Sequence, residues 1–301
     1  MTLSLEAKNY IERASKLPSL ATLSPKEARR IRTRTVDELH SDVLKSIVDQ
    51  QIVMRDGVSI TVRIYTPKQD QPLPVIMYYH GGGWVINDIN TSHESCIELA
   101  HVTNRIVVSV NYRLAPEYKF PIPVYDAFDS LQWVVQNLVT LNATDEISVA
   151  GDSAGGNLAT VVASLATKEN IRLESQILLY PVTELTYSSN SYLDFRTGFG
   201  LDRDVMQWFG SHYLNHEEEA SNPLVAPLQA DVSGLPKTMI IAAEHDVLRD
   251  EAIAYADKLV KANVKVELHI AKGLVHSYFT NNDLFHHEIA TTIQKIDFFL
   301  K

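Results

Sequence analysis

Apolar runs of strand length, alternating with longer helical patterns, place the tightest constraint on how this chain can fold. The runs are continuous and rich in β-branched residues, which is typical of strands buried on both faces, and the alternation predicts parallel crossovers. The predicted strands are 75–79, 106–110, 147–150, 177–180, 239–243 and 264–270, and the predicted helices are 124–138, 154–168, 251–262 and 284–300. We therefore predict an α/β fold with a mostly parallel central sheet.

Three further segments complete the predicted architecture. Residues 1–44 have a helical pattern without strand character, and Ser24 begins a sequence typical of a second helix start. Residues 51–65 predict two antiparallel strands that turn at Asp56-Gly57, which brings the sheet to about eight strands. Residues 184–220 are too long and too aromatic for a plain connection, so they are either a functional insertion or a helical excursion that only covers the core.

Charge and composition narrow the class of function. The chain of 301 residues has a net charge of −10, which disfavours nucleic acids and anionic lipid surfaces and makes a neutral substrate the better fit. No apolar run approaches the roughly 18 residues of a membrane span, and the first 20 residues lack the apolar core of a signal peptide. Cys96 is the single cysteine and excludes an internal disulfide. We expect a single domain and a cytoplasmic location.

Residues 151–156, GDSAGG, carry the sharpest chemical signal. A G-x-S-x-G pattern is common by chance, but this one follows a predicted strand and precedes a predicted helix, which is the context of a nucleophile elbow. The flanking glycines permit a tight turn that exposes the hydroxyl of Ser153. The alternative is a glycine-rich turn with an incidental serine.

Residues 80–84, HGGGW, directly follow another predicted strand. Three successive glycines leave backbone N–H groups unshielded, and two such donors aimed at one point can stabilise an oxyanion. A glycine-rich loop could instead hold a phosphate, but the accompanying Lys-Ser/Thr pair and the G-x-G-x-x-G spacing are both missing.

A serine nucleophile needs a base and an acid that orients the base, and in α/β hydrolases both follow the serine in the chain. Asp246 lies in a predicted loop directly after the strand 239–243. Asp250 and Glu251 instead resemble the first turn of the next helix, where acidic residues are favoured by the helix dipole. Asp246 is thus the predicted acid.

His276 is the histidine best placed to be the base, because it lies in the predicted loop between the strand 264–270 and the last helix. The other histidines beyond the serine lie in a strand, in the insertion, near the last helix or beside the acid: His212, His216, His245, His269, His286 and His287.

Together these residues resemble the hormone-sensitive-lipase-like family of α/β-hydrolase esterases, also called bacterial family IV, from about Asp56 to the C-terminus. The segments that carry the resemblance are 80–84, 111–117 (NYRLAPE), 120–121, 151–156, 234–236 and 246–251. The chain departs from the family pattern at Val247, where proline is usual, and at Ser277, where glycine is usual.

The resemblance implies an α/β-hydrolase fold with helices on both faces of the sheet and a helical cap formed by residues 1–44 and 184–220. It also implies a specific set of site residues, and the implied reaction requires no metal or cofactor. The implied catalytic residues are Ser153, Asp246 and His276; the oxyanion hole is Gly82, Gly83 and Ala154; the loop-shaping residues are His80, Gly81 and Asp152; and the aromatic side chains expected in the substrate pocket are Trp84, Phe195 and Trp208.

The predicted function is hydrolysis of small neutral carboxylic esters with short acyl chains, through an acyl-enzyme on Ser153. The expected partner is a small-molecule ester, and the family resemblance also allows a homodimer through the last strand. An amidase, a lactonase or a carbamate hydrolase could use the same residues. A ligand-binding protein that kept the fold and lost catalysis is the alternative from another class, although such proteins typically lose a member of the triad.

Overall fold

A single eight-stranded sheet forms the centre of the protein, whose computed structural model describes residues 2–36 and 38–301. The strand order is β1-β2-β4-β3-β5-β6-β7-β8; β2 runs antiparallel to both β1 and β4, and all other neighbours are parallel. The strands are β1 Leu44–Val53, β2 Ser59–Pro67, β3 Leu73–Tyr79, β4 Ile106–Val110, β5 Ala143–Asp152, β6 Ser175–Leu179, β7 Lys237–His245 and β8 Val266–Val275. The predicted α/β fold with about eight mostly parallel strands is confirmed.

Helices cover both faces of the sheet. They are α1 Leu5–Ser15, α2 Pro25–Arg32, α3 His93–Thr103, α4 Ile122–Gln136, α5 Leu138–Leu141, α6 Ala154–Lys168, α7 Ser191–Asp194, α8 Arg203–Tyr213, α9 Arg249–Lys261 and α10 Asn282–Leu300. Ser24 caps α2 in a reciprocal capping box with Glu27, as the sequence predicted for a helix start there.

Successive side chains of the central strands point to opposite faces, and each face has its own apolar core. In β3, Val75 and Met77 join the core shared with α4, α6 and α9, whereas Ile76 and Tyr78 join the core shared with α3 and α10. All four side chains are fully buried. The continuous apolar runs in the sequence are the direct consequence, because both faces of these strands must be apolar.

Some boundaries differ from prediction where polar residues lie within an element. Strand β1 begins at Leu44 rather than at residue 51, because its outward side chains are polar and hide the pattern. Strand β8 continues past residue 270 to Val275 through the exposed Lys272, so His276 follows the strand directly instead of ending a loop. Helix α3 was not predicted.

The aromatic insertion between β6 and β7 is partly helical. It contains α7 and α8, followed by a short 3₁₀ turn at Glu217–Ser221. Across residues 2–36 and 38–301, no helix is both long enough and apolar enough to cross a bilayer.

Candidate active site

A sharp turn at Ser153 joins β5 to α6. Strand β5 ends at Asp152 and α6 begins at Ala154, which leaves Ser153 alone in the turn with φ 56° and ψ −120°, a strained conformation for a residue with a side chain. The Ser153 N–H donates to the carbonyl of Leu179 in β6 (2.9 Å). A Cβ on Gly155 would clash with the carbonyl oxygen of Tyr79, so the turn can approach β3 only because that residue is glycine.

Ser153, His276 and Asp246 form one continuous hydrogen-bonded chain. His276 follows β8 and Asp246 follows β7, so the carboxyl ends of three parallel strands bring the residues together. His276 Nε2 lies 2.9 Å from Ser153 Oγ, and His276 Nδ1 lies 2.7 Å from Asp246 Oδ2. The other oxygen of Asp246 accepts from the N–H of Leu248 at 3.0 Å, and all three catalytic candidates are buried. Such a chain can move a proton from a serine hydroxyl to an oriented imidazole.

Neighbouring residues hold the His276 ring in place. The ring of Tyr180, at the end of β6, packs edge-on against it with centroids 4.7 Å apart; sequence reasoning did not identify this residue.

The two positions that depart from the family pattern lie beside the catalytic candidates. Ser277 has φ 63°, a left-handed conformation that explains why glycine is usual there. Val247, which stands where proline is usual, is fully buried, and its carbonyl accepts from the Ser191 hydroxyl at 2.6 Å.

The glycine-rich loop after β3 supplies unpaired backbone donors beside Ser153. Gly82 has φ 119°, and a Cβ there would clash with the carbonyl oxygen of Ile86. The N–H groups of Gly82, Gly83 and Ala154 donate to no other residue in the described part of the chain. Ala154 is the first residue of α6, where N–H groups have no intrahelical acceptor and developing negative charge is favoured.

Asp152 ties this loop to the elbow. Its Oδ1 accepts from the Tyr78 hydroxyl (2.8 Å) and from the Gly81 N–H (2.9 Å). Burial raises the pKa of Asp152, while these two donors act to lower it. His80 Nδ1 donates to the Gly81 carbonyl at 2.8 Å, its ring stacks on Tyr112 with centroids 4.3 Å apart, and burial lowers its pKa. His80, Gly81 and Asp152 thus shape the loop from outside the hydrogen-bonded chain of Ser153.

Comparison with known proteins assigns the family. A family model described as an alpha/beta hydrolase fold matches residues 76–280. The chain belongs to the α/β-hydrolase family. An arylesterase of Saccharolobus solfataricus is 33% identical over a stretch that covers 92% of this chain and 92% of the arylesterase. An ethyl acetate hydrolase of Pseudomonas putida is 33% identical over a stretch that covers 77% of this chain and 75% of the hydrolase. A solved thermostable esterase from Pseudomonas putida is 30% identical, covers 100% of this chain and 97% of its own, and superposes with a TM-score of 0.92. The predicted resemblance to hormone-sensitive-lipase-like esterases and the prediction of a carboxylic ester hydrolase are confirmed.

In this α/β-hydrolase, a cavity of about 550 Å³ opens over Ser153 and His276. The N-terminal segment and the insertion both contribute to its wall, together with the glycine-rich loop. On α8 and just before it, Leu201, Val205 and Phe209 recur at every fourth residue and face the cavity, and the Phe209 ring lies against Gly83. From the N-terminal segment the apolar lining residues include Tyr10, Ile11, Leu17, Leu20 and Ile31.

The three aromatic residues expected in the pocket do not contribute to this wall. Trp84 is fully buried and stacks on Tyr213 with centroids 4.2 Å apart. Trp208 turns towards the N-terminal segment, where its Nε1 donates to the carbonyl of Leu23 (3.1 Å). Phe195 packs on Phe199 and His245 and lines a separate surface pocket. The four-residue repeat of Leu201, Val205 and Phe209 is the sequence signal that would have selected Phe209 over Trp208.

No cluster of three or more His, Cys, Asp or Glu side chains suited to a metal ion occurs within residues 2–36 and 38–301.

Proposed function

We propose that this protein is a serine carboxylesterase that hydrolyses neutral esters with short acyl chains through an acyl-enzyme intermediate. The observation that carries the proposal is the buried chain from Ser153 Oγ through His276 to Asp246, with distances of 2.9 Å and 2.7 Å, beside unpaired N–H donors and an open cavity. This arrangement supplies a nucleophile, its base and a place for the charge that develops on the ester oxygen.

In the proposed mechanism, Ser153 Oγ attacks the ester carbonyl carbon while His276 Nε2 takes the hydroxyl proton. Asp246 holds the Nδ1–H tautomer of His276 and stabilises the imidazolium. The N–H groups of Gly82, Gly83 and Ala154 stabilise the oxyanion. The alcohol leaves with the proton from His276, and a water molecule, activated by the same imidazole, then releases the carboxylic acid and restores Ser153.

The proposal includes a cap formed by residues 1–44 and 184–220. Its support is that both segments line the cavity over Ser153, Tyr10 and Leu20 from the first and Val205 and Phe209 from the second. Short acyl chains are favoured because Phe209 lies against the glycine-rich loop and limits the space beside the reacting carbonyl. The name of the ethyl acetate hydrolase of Pseudomonas putida, 33% identical to this chain, supports a small ester.

A cytoplasmic location is also part of the proposal. Cys96 is buried in the core shared with α3 and α10, and burial raises its pKa to about 12, so the thiol stays protonated and does not serve a disulfide.

The test is hydrolysis of a series of p-nitrophenyl esters of increasing acyl length. We expect kcat/KM to be highest for acyl chains of about two to six carbons and to fall by at least about tenfold for chains beyond about ten carbons. An absence of hydrolysis across the series would overturn the proposed esterase. A maximum at the longest chains would overturn the short-chain preference alone.

A further inference from the structure

Two arginines line the cavity over Ser153, although the protein as a whole is strongly acidic. Arg32 ends α2 and Arg34 follows it, and both are among the lining residues. The net charge of −10 argues for neutral substrates, but the charge that a bound substrate meets is the local one. The local charge beside the proposed catalytic residues is therefore positive on this side of the cavity.

Arg34 is held rigidly by neutral groups. Its guanidinium donates to the carbonyl oxygens of Thr91 (3.3 Å) and Thr280 and to the side-chain oxygen of Asn281 (2.9 Å). Asn281 in turn donates to the carbonyl of Ser277, the residue after His276, at 2.7 Å. These acceptors fix the position of Arg34 without neutralising its charge, and Arg34 forms no salt bridge with any residue of the ranges 2–36 and 38–301.

Arg32 has a buried donor that lacks a hydrogen-bond partner in the described part of the chain. Its Nε is inaccessible to solvent, yet it donates to none of these residues. Arg32 lies in the last turn of α2, where the helix dipole favours a positive charge. That effect does not explain why its Nε is buried without an acceptor. The enclosed Nε has no acceptor, which costs free energy. The two terminal nitrogens of Arg32 also form no hydrogen bond with the described residues, and because Arg32 lines the cavity they are the donors that a ligand oxygen can reach.

Tyr10 provides a further polar group on the same wall. Tyr10 lines the cavity together with both arginines. Burial raises the pKa of its hydroxyl, while the charges of Arg32 and Arg34 act to lower that pKa. Tyr10 can also donate a hydrogen bond to an anion held there.

Two other charged groups near the cavity are held by contacts within the fold. Asp202 lines the cavity, but its carboxylate accepts from the N–H of Gly198 (3.0 Å) and from the hydroxyl of Thr197 (3.4 Å) in its own turn. Arg29, on the same helix as Arg32, forms a salt bridge with Glu117. Unlike Arg29, neither Arg32 nor Arg34 forms a salt bridge with another described residue. The cavity lining therefore carries two arginines against the single carboxylate of Asp202, and its charge remains positive.

We propose that Arg32 and Arg34 bind an ionised carboxylate carried by the ester substrate at a distance from the scissile bond. This inference rests on the proposed esterase activity and names its favoured substrate class: half-esters of short dicarboxylic acids, or short hydroxy acids that are acylated on the hydroxyl group and keep a free carboxylate. A guanidinium binds a carboxylate through charge-assisted hydrogen bonds, and these strengthen in a cavity that excludes water. Neutral short-chain esters remain slower substrates of the same site.

The test compares each carboxylate ester with its neutral amide, which has nearly the same size and shape. For a charge on the acyl side, the pair is monoethyl glutarate and ethyl glutaramate; for a charge on the alcohol side, it is acetylated γ-hydroxybutyrate and its amide. We expect the wild-type protein to show kcat/KM at least about tenfold higher for the carboxylate in one of the two pairs, which identifies the side. Equal or lower kcat/KM for the carboxylate in both pairs would overturn the inference.

Variants on α2 assign the effect to Arg32. Arg32→Gln should bring the carboxylate-to-amide ratio close to one, mainly through a higher KM for the carboxylate, and Arg32→Lys should keep part of the preference. Arg30→Gln is the matched control. Arg30 lies on the same helix, is partly exposed and does not line the cavity, so its replacement removes the same charge away from the site. A fall in the ratio that is equal for Arg30→Gln and Arg32→Gln would contradict a local site.

The two proposals fail in distinguishable ways. If neither neutral p-nitrophenyl esters nor any member of the pairs is hydrolysed, the proposed esterase is wrong. If neutral esters are hydrolysed without a preference for the carboxylate, the esterase stands and the carboxylate site is wrong. The wild-type comparison does not depend on whether a variant folds.

Discussion

The catalytic candidates and the cavity wall above them differ in how strongly the sequence determines them. Ser153, Asp246 and His276 each lie directly after a parallel strand, and the sheet alone brings them together. The wall depends on how helices from two distant segments turn their side chains, and there Phe209 faces the cavity while its neighbour Trp208 does not. Catalytic position is thus a property of the sheet, whereas cavity shape is a property of helix packing.

The largest effect is expected at the elbow. Ser153→Ala deletes the nucleophile and only one oxygen atom, so we expect kcat to fall by about 10⁴- to 10⁶-fold without loss of the fold. Ester hydrolysis by the purified variant, with circular dichroism as the check on folding, provides the measurement. Retention of a tenth of wild-type activity would show that the strand-end geometry does not carry the reaction.

The acid gives the next largest effect and a direct comparison of two neighbouring carboxylates. Asp246→Asn should cost about 10⁴-fold in kcat, because an amide no longer fixes the His276 tautomer. Asp250→Asn should be far milder, since Asp250 contacts Arg249 (2.7 Å) and the Ser191 N–H (2.9 Å) instead of the imidazole. The reverse ranking of the two variants in kcat would move the acid to Asp250.

Sequence predicted the parts of the molecule that impose backbone requirements. The turn at Ser153 needs glycine at 155 and the loop after β3 needs glycine at 82, so both segments can be recognised in the sequence by their glycines. The acid and the base followed from chain order and strand ends. The sequence could not predict that Trp84, Phe195 and Trp208 turn away from the cavity, because the direction of each side chain depends on its packing partners. Trp84 stacks on Tyr213, Phe195 packs against His245, and Trp208 donates to the carbonyl of Leu23.

A third prediction tests the cavity wall with two adjacent aromatic residues. Phe209→Ala enlarges the cavity beside Gly83, so the ratio of kcat/KM for a longer over a shorter acyl ester should rise by about tenfold. Trp208→Ala is the matched control, because its side chain packs towards Leu23, and it should change that ratio by less than about twofold. A larger change from Trp208→Ala would mean that helix α8 presents a different face to the substrate.

The smallest effect is expected at His93, which lies outside both regions. It concerns the stability of the fold at acid pH and not the activity of the site. His93 is buried between Tyr65 (3.0 Å) and Arg63 (3.4 Å), and burial together with the Arg63 charge lowers its pKa to about 4. An unfolded histidine binds a proton near pH 6.5, so the free energy of unfolding is intact above about pH 6.5 and falls as pH drops towards 4, by at most roughly 3 kcal/mol.

The variant His93→Gln keeps an acceptor for the Tyr65 hydroxyl but cannot titrate. In urea unfolding at successive pH values, we expect it to lose most of the destabilisation that the wild type shows between about pH 6.5 and 4. An identical pH dependence in the two proteins would remove His93 as its source.

The most direct test of the central claim is labelling with a fluorophosphonate probe followed by peptide mapping. An activated serine attacks the phosphorus centre, whereas an ordinary serine hydroxyl does not. The account predicts one adduct per chain, on Ser153, and its loss when His276 is replaced by alanine, because the base at 2.9 Å is then missing. An absence of labelling, or an adduct on another residue in a protein that hydrolyses esters, would contradict it.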